Sequence, residues 1–427
     1  MRILHITQRF WPAVGGSEIH MGELSRRLAA DGHHVTVLTS DALDFELFWD
    51  PRRRRVPEAE STDSGVHVVR APVRHLPVSQ LAYPGLRRLL WLLSRMPGIS
   101  HNVLAYLARV TPWTPDLWRW LETTGEQFDL VAGMTICFEP FIEAGLRFAR
   151  QRRVPFVVYP LTHLGAGRQP GVDAVSSFYT MRHQVALVRQ SDAVVAQTPT
   201  EQAFYAARGV PLDRIVVAGP GVTPERVCGG DGAKLRRQLN IRSPLIVSLG
   251  SMSYDKGTMH VVEAVRALWR EGRDVELVLA GALLAPFRKY LDGLPATDRA
   301  RLRVLGAIDD ETKRNLLAAA DVFALPSRTD SFGIVYLEAW LYRKPVIGAQ
   351  VWGMADVIAN GEDGLLVPFG DVHALAQSLR ELLDSPERRA AMGRNGEAKV
   401  RAQHTWAYKY AITRDLYARL VTTNGQQ

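Results

Sequence analysis

Short apolar runs alternate with longer amphipathic stretches along most of this chain. The first apolar run, at 3–7, is followed by a helical pattern at 17–30 that stops at Gly32, and by a second run at 34–39. After a gap, strands are expected at 129–134, 154–159, 192–197 and 214–218, with helical segments at about 139–151 and before Arg189. Within that series Thr198-Pro199-Thr200-Glu201 reads as a helix cap, an N1 proline and a capping-box glutamate. A turn-rich stretch, Gly219-Pro220-Gly221-Val222-Thr223-Pro224, closes it. The rhythm then restarts: strand 245–249, helix 258–270, strand 275–280, a short strand at 303–305 and an apolar run ending at Leu325. Strands alternating with crossover helices predict parallel sheets. With 427 residues and 47% hydrophobic content, two α/β domains are expected.

The gap, 41–125, breaks the alternation. It holds an arginine run at 52–55, a strand-like 66–70, and helical segments carrying Trp91, Trp113, Trp118 and Trp120. The net charge of +8 changes the picture only here, because residues 52–119 carry eleven Arg, no Lys and four acids, a balance of +7. A charge so concentrated does not suggest nucleic acid. Arginines beside tryptophans on amphipathic helices suit a membrane interface or a lipid-linked ligand, and equally suit packed helices with a solvated rim. No long apolar segment and no signal-peptide pattern appear, so a cytoplasmic protein is expected, at the inner face of the membrane if the basic segment binds it. Cys137 and Cys228 show no metal or disulfide spacing and are expected to be buried thiols.

Three loops stand where a helix begins after a strand. In Pro326-Ser327-Arg328-Thr329-Asp330-Ser331-Phe332-Gly333-Ile334-Val335-Tyr336-Leu337-Glu338, a polar loop leads into a helix after Gly333. Pro12-Ala13-Val14-Gly15-Gly16-Ser17-Glu18 does the same in the first half, and Ser251-Met252-Ser253-Tyr254-Asp255-Lys256-Gly257 in the second. A helix start offers unpaired N–H groups and a positive dipole end, which suit phosphate. Asp330 and Glu338 bracket the amides of Phe332, Gly333, Ile334 and Val335, so hydroxyls and a diphosphate could be met together. Taken alone, each loop is also explained by an ordinary cap and solvated acids. His163 follows the strand at 154–159, where open α/β sheets bind ligands. The residues by themselves lead as far as a nucleotide-type ligand.

The segment from Asp330 to Glu338 resembles the Glu-x7-Glu signature of family 4 retaining glycosyltransferases of the GT-B fold, with Asp330 in place of the first glutamate. Pro12 to Glu18 resembles the Pro-x-x-Gly-Gly-x-Glu element that opens that family, and the resemblance covers nearly the whole chain except 41–125. It implies an α/β GT-B architecture, two Rossmann-like doubly wound domains facing each other across a cleft. The expected division is an acceptor domain at 1–224 with a basic, Trp-rich insert at 41–125, a donor domain at 225–403, and a helix at 404–427 crossing back.

By the same resemblance the donor would be a nucleotide diphosphate sugar. Gly15, Gly16, Ser251, Lys256, Phe332, Gly333, Ile334, Val335 and Glu338 would bind it, with Glu338 on the ribose. Asp330, Lys256 and His163 would be catalytic, His163 reaching the sugar from the first domain. The family normally has an arginine where this chain has Ser251, which leaves Lys256 as the main side-chain cation on the diphosphate. No Asp-x-Asp cluster is present, so no metal and no cofactor are expected, and Asp309-Asp310-Glu311 reads as a helix start. The acceptor would be a glycan, a lipid-linked glycan or a small molecule, with peripheral membrane association and no nucleic acid. A nucleotide-sugar-binding protein without turnover and a nucleotide-sugar epimerase remain the other readings.

Overall fold

The computed structural model, described over residues 1–425, forms two compact units. The first comprises Met1–Thr162, Gly171–Gly219 and the chain from Tyr410; the second comprises His163–Pro170 and Pro220–Lys409.

In the first unit, strands β1 (Arg2–Ile6), β2 (His34–Ser40), β3 (Glu60–Asp63), β4 (Val66–Ala71), β5 (Leu130–Met134), β6 (Phe156–Tyr159), β7 (Ala193–Ala196) and β8 (Ile215–Val217) make one sheet. Its order is β3-β4-β2-β1-β5-β6-β7-β8, parallel throughout except for β3. The chain runs outward from β1 and then returns to β5 on its other side, which puts a topological switch between those two strands. Helix α1 (Gly16–Ala30) buries Met21, Leu24 and Leu28 on this sheet. The last helix, Trp406–Asn424, adds Leu416 and Tyr417 to the same core. The Tyr417 hydroxyl accepts from Tyr159 at 3.0 Å and lies 3.2 Å from Nε2 of His5, all three groups being buried.

The expectation that 41–125 stands outside the alternation is corrected at 60–71. There β4 pairs in parallel with β2, from Thr36 opposite His67 to Ser40 opposite Ala71, and β3 covers the edge. Val66 and Val68 are fully buried, so this run belongs to the core. The arginine run is also not a free positive patch. Arg52 and Arg53 pair with Asp50, Arg54 with Asp44 and Arg55 with Asp41, acids that lie just upstream of the basic window. Beyond it come α2 (Ser79–Arg95), α3 (His101–Ala108) and α4 (Pro115–Thr123). Their tryptophans are packing residues: Trp91 stacks on Phe178 under Arg95, and Trp118 lies beneath Arg109 at 4.1 Å. Helices α5 (Glu139–Arg152) and α6 (Arg182–Gln190) complete this side. Both cysteines are free thiols but only half-buried, and burial pushes the Cys137 thiol up to about 12.

In the second unit, β9 (Leu245–Leu249), β10 (Glu276–Ala280), β11 (Leu302–Gly306), β12 (Val322–Leu325), β13 (Val346–Ala349) and β14 (Gly364–Val367) form an all-parallel sheet. Its order is β11-β10-β9-β12-β13-β14, so the switch falls between β9 and β12. Along β9, Leu245, Val247 and Leu249 enter one apolar layer and Ile246 the other, as a sheet covered on both faces requires.

The helix Ile334–Leu341 is held by Trp340, which is wholly buried and donates from Nε1 to the Asp363 carbonyl at 2.8 Å. Against it lies the helix Pro386–Gln403, where Lys399 sits over the Trp340 ring at 5.0 Å and a Cβ on Gly396 would collide with that ring. Gly396→Ala is therefore expected to lower stability by about 1–3 kcal/mol through overpacking. Gly85→Ala, where a Cβ meets nothing within 4 Å, is the control and should be neutral or stabilising. Chemical denaturation of the two variants checks this; equal stabilities would refute the packing argument.

Candidate active site

The carboxyl ends of β9 and β12 stand side by side at the switch, and each feeds one of the loops marked by the sequence. Gly257 caps the helix Thr258–Arg270 at φ 74°, and a Cβ there would collide with the carbonyl of Pro326, so the two loops touch only because this position is glycine. The Arg328 amide donates to the Asp255 carbonyl at 2.9 Å, and the Arg328 guanidinium pairs with the Asp255 carboxylate at 2.7 Å. The same guanidinium lies over the rings of Tyr254 and Phe369, at 5.3 and 4.9 Å. These contacts fix the backbone on either side of Lys256.

Lys256 and Asp330 consequently meet, with Nζ 2.5 Å from Oδ1. Burial alone would raise the Asp330 carboxyl, but the charge and hydrogen bond of Lys256, helped by Ser327, outweigh it and hold the group below the usual carboxylate range. His163 shares this field. Burial, reinforced by the Lys256 charge and only partly offset by Asp330, draws its imidazole down to about 4, so it is neutral at physiological pH. Three residues that the sequence marked separately thus form one electrostatic cluster.

The sequence reading placed His163 in the first domain; the loop that carries it packs with the second unit instead. The cause is Trp352, whose amide donates to the Gly165 carbonyl at 2.9 Å and whose ring N–H donates to the Gly167 carbonyl at 2.8 Å. One residue earlier, the Thr162 amide donates at 2.7 Å to Glu201, a buried carboxylate that also takes the Gln197 amide at 2.7 Å. Glu201 therefore anchors the strand end leading to His163, and the Thr198 hydroxyl accepts from the Glu201 amide as a cap should.

Gly333 caps the helix Ile334–Leu341 at φ 78°, and the amides of Ile334 and Val335 open that helix next to Asp330 in the chain. The Phe332 side chain belongs to the core, its ring 5.7 Å from that of His404. Glu338 is buried on the first turns of the helix, and its Oε1 lies 2.9 Å from Nζ of Lys313, a partner the sequence reading missed. Burial opposes charge on Lys313, but the Glu338 carboxylate more than compensates and holds the ammonium above its ordinary pKa. Ser251 is exposed. Asp309 caps its helix, accepting from the Thr312 amide at 2.7 Å, as the acidic run suggested.

Gly15 and Gly16 lie in the first unit, at the start of α1 and past the carboxyl end of β1. A Cβ on Gly15 would strike the Glu18 carboxylate, which Arg9 holds at 2.8 Å, whereas a Cβ on Gly16 meets nothing within 4 Å. The protein's own packing requires the first glycine. The second keeps open space in front of a helix N-terminus.

The cluster makes a prediction independent of any ligand. Lys256→Met leaves Asp330 buried without its cation, which should cost about 1–3 kcal/mol at neutral pH. In the variant, unopposed burial raises the folded-state pKa of Asp330 above its unfolded value, so the penalty is present at high pH and fades as pH falls and the carboxyl is protonated. In the wild type the depressed pKa acts in the opposite sense. The stability gap measured by denaturation should therefore be widest near pH 7 and narrow toward pH 5; a gap independent of pH would mean that the pair is not coupled as the geometry shows.

Two family models match, one in each half: "Glycosyl transferase 4-like domain" over residues 15–221 and "Glycosyl transferases group 1" over 232–399. A D-inositol 3-phosphate glycosyltransferase from Corynebacterium glutamicum (strain R) is 32% identical over 248 residues, 54% of this chain and 58% of that protein. One of the same name from Pseudarthrobacter chlorophenolicus is 25% identical over 94% of this chain and 90% of that protein. The matched stretch thus spans little more than half of the first relative's length. Among solved structures, sucrose-phosphate synthase from Thermosynechococcus elongatus superposes with a TM-score of 0.73, at 22% identity, over 99% of both chains. With both halves matched, two doubly wound parallel sheets, and the acid–x7–acid segment seated at the switch of the second, this chain belongs to the family 4 glycosyltransferases of the GT-B fold.

Proposed function

We propose that the protein transfers a glycosyl group from a nucleotide diphosphate sugar to an acceptor hydroxyl, with retention at the anomeric carbon. The observation that carries this reading is the Lys256–Asp330 pair, with His163 in its field, at the helix start after Gly333. A glycosyl donor breaks into a diphosphate that gains negative charge and a sugar carbon that gains positive charge. A cation and a carboxylate held next to each other suit the two sides of that bond, Lys256 on the diphosphate and Asp330 beside the sugar. The amides of Ile334 and Val335 add fixed donors for the phosphates, and those of Phe332 and Gly333 face the sugar. Neutral His163 would accept or donate a hydrogen bond to a sugar hydroxyl without adding charge.

Glu338 would take the ribose hydroxyls. Lys313 holds it at 2.9 Å, so the ribose would meet a carboxylate already oriented by an ion pair. Ser251 supplies a hydroxyl where relatives place an arginine, which throws the diphosphate onto Lys256 and the backbone. The relatives, D-inositol 3-phosphate glycosyltransferases among them, are named as enzymes, which favours turnover over simple nucleotide-sugar binding. Cations and amides of the protein itself neutralise the leaving group in this reading, so metal is not required.

Incubation with UDP-, GDP- and ADP-glucose and a panel of glycan and lipid-linked acceptors, with product NMR, tests the proposal. A product that keeps the donor's anomeric configuration and forms at an undiminished rate in EDTA is expected. An inverted product, rearranged donor without acceptor, or a rate lost in EDTA and restored by Mg²⁺ would refute it. Glu338→Ala is expected to weaken donor binding by about 1.5–3 kcal/mol, since charged hydrogen bonds to the ribose are lost. Calorimetry on the folded variant checks this, and unchanged affinity would remove Glu338 from the ribose.

A further inference from the structure

The geometry points to the outer face of the α2–α3 hairpin as a docking surface for an anionic phospholipid bilayer. Leu81, Leu89 and Leu92 of α2, Met96 just past its end, and Val103, Tyr106 and Leu107 of α3 are all exposed, from 44% at Leu107 to 74% at Leu81. At helical spacing the three positions on α2 fall within an arc of about 80°. The opposite faces are satisfied: Leu90, Leu104 and Ala108 are buried with Met181 in a cluster of their own. The exposed row therefore contributes nothing to the core, and so long an apolar stripe on two neighbouring helices is more than a monomer surface ordinarily leaves uncovered.

Charge selects the occupant. Between Asp63 and Asp116 the chain has no acid at all; of the six arginines there, Arg70 is buried and Arg74 pairs with Asp116, which leaves Arg87, Arg88, Arg95 and Arg109 on or beside the hairpin. The carboxylates of α5 that face this hairpin, Glu139 and Glu143, are buried and already paired with Arg87 and Arg109. Arg88 and Arg95 remain exposed on α2 beside the leucines. Tyr106 belongs both to the apolar row and to the wall of a cavity of about 630 Å³, whose other walls include Arg109, Arg147 and Arg150. A single acid, Glu143, lines it, shared between Arg109 and Arg147, and Arg150 pairs with Asp192, so one positive charge is left in excess. Exposed aliphatic side chains among arginines, with a basic hollow next to them, match acyl chains below acidic headgroups. A protein partner would ordinarily meet some acids here. No helix among the described residues is long and apolar enough to cross a membrane, so the contact is interfacial.

This surface lies within the basic segment that the sequence marked, but aliphatic side chains form it: Trp91, Trp118 and Trp120 are half-buried, and the exposed Trp113 lies outside both helices. The inference is independent of the transfer reaction, and its test uses neither donor nor acceptor. The full chain is floated with vesicles of phosphatidylcholine plus phosphatidylglycerol, and with phosphatidylcholine alone. Co-flotation with the anionic vesicles only, weakening as NaCl rises, is expected. Leu89→Ser/Leu92→Ser/Tyr106→Ser should lose most of the floating fraction, and Arg88→Glu/Arg95→Glu should release at lower salt; unchanged melting shows that both remain folded. A wild-type protein that stays at the bottom with anionic vesicles overturns the proposal, as does a triple variant that floats like the wild type. A dimer on gel filtration that the triple variant abolishes, without flotation, would assign the face to a second copy and equally overturn it.

Discussion

Everything chemical in the second unit depends on two loops being able to touch. Loops leaving adjacent parallel strands diverge unless something lets their backbones close, and here it is the missing side chain at Gly257 against the Pro326 carbonyl. That approach, locked by the backbone and side-chain bonds of Arg328 to Asp255, brings Lys256 and Asp330 together although 74 positions separate them. Burial then lowers the proton affinity of His163, with the Lys256 charge adding to the effect and Asp330 offsetting part of it. Steric permission comes first, ion pairing second and proton affinity third.

The electrostatic design favours pre-pairing over free charge. Lys256 rests on Asp330, Lys313 on Glu338 and Arg9 on Glu18. A buried pair of this kind is poor evidence for stability, because desolvation consumes most of the attraction, but removing one partner strands the other. It does hold side chains in one rotamer, and at Lys256 it keeps the buried Asp330 carboxyl below the usual carboxylate range. A ligand bearing both phosphate and hydroxyls could exchange contacts with such a pair without ever leaving a bare charge.

The fold was legible wherever local pattern and tertiary role agree. Strand 245–249 and helix 258–270 have the boundaries their apolar spacing gave, because both are buried by their own sheet. Lys256, Asp330 and Glu338 could be marked one by one, each standing at a strand-loop-helix junction. Their partners were hidden, since no spacing links Lys313 to Glu338 or Trp352 to Gly165. The region 41–125 was misjudged for two physical reasons. Membership of β4 in the sheet is decided by pairing with β2, far away in sequence. The charge of the arginine run was counted over a window that began just after the acids, Asp41, Asp44 and Asp50, that neutralise it.

The placement of residues 163–170 and of the chain from Tyr410 has a consequence for the molecule as a polymer. The backbone leaves the first unit after Thr162, returns at Gly171, leaves again after Gly219 and returns at Tyr410, so neither unit is a continuous piece of chain. No single cut in the gene would release either one intact. A fragment ending near 220 would lose the helix that supplies Leu416 and Tyr417, leaving His5 and Tyr159 buried without the hydroxyl they share. The two units are separate in packing but must be inherited, synthesised and completed as one.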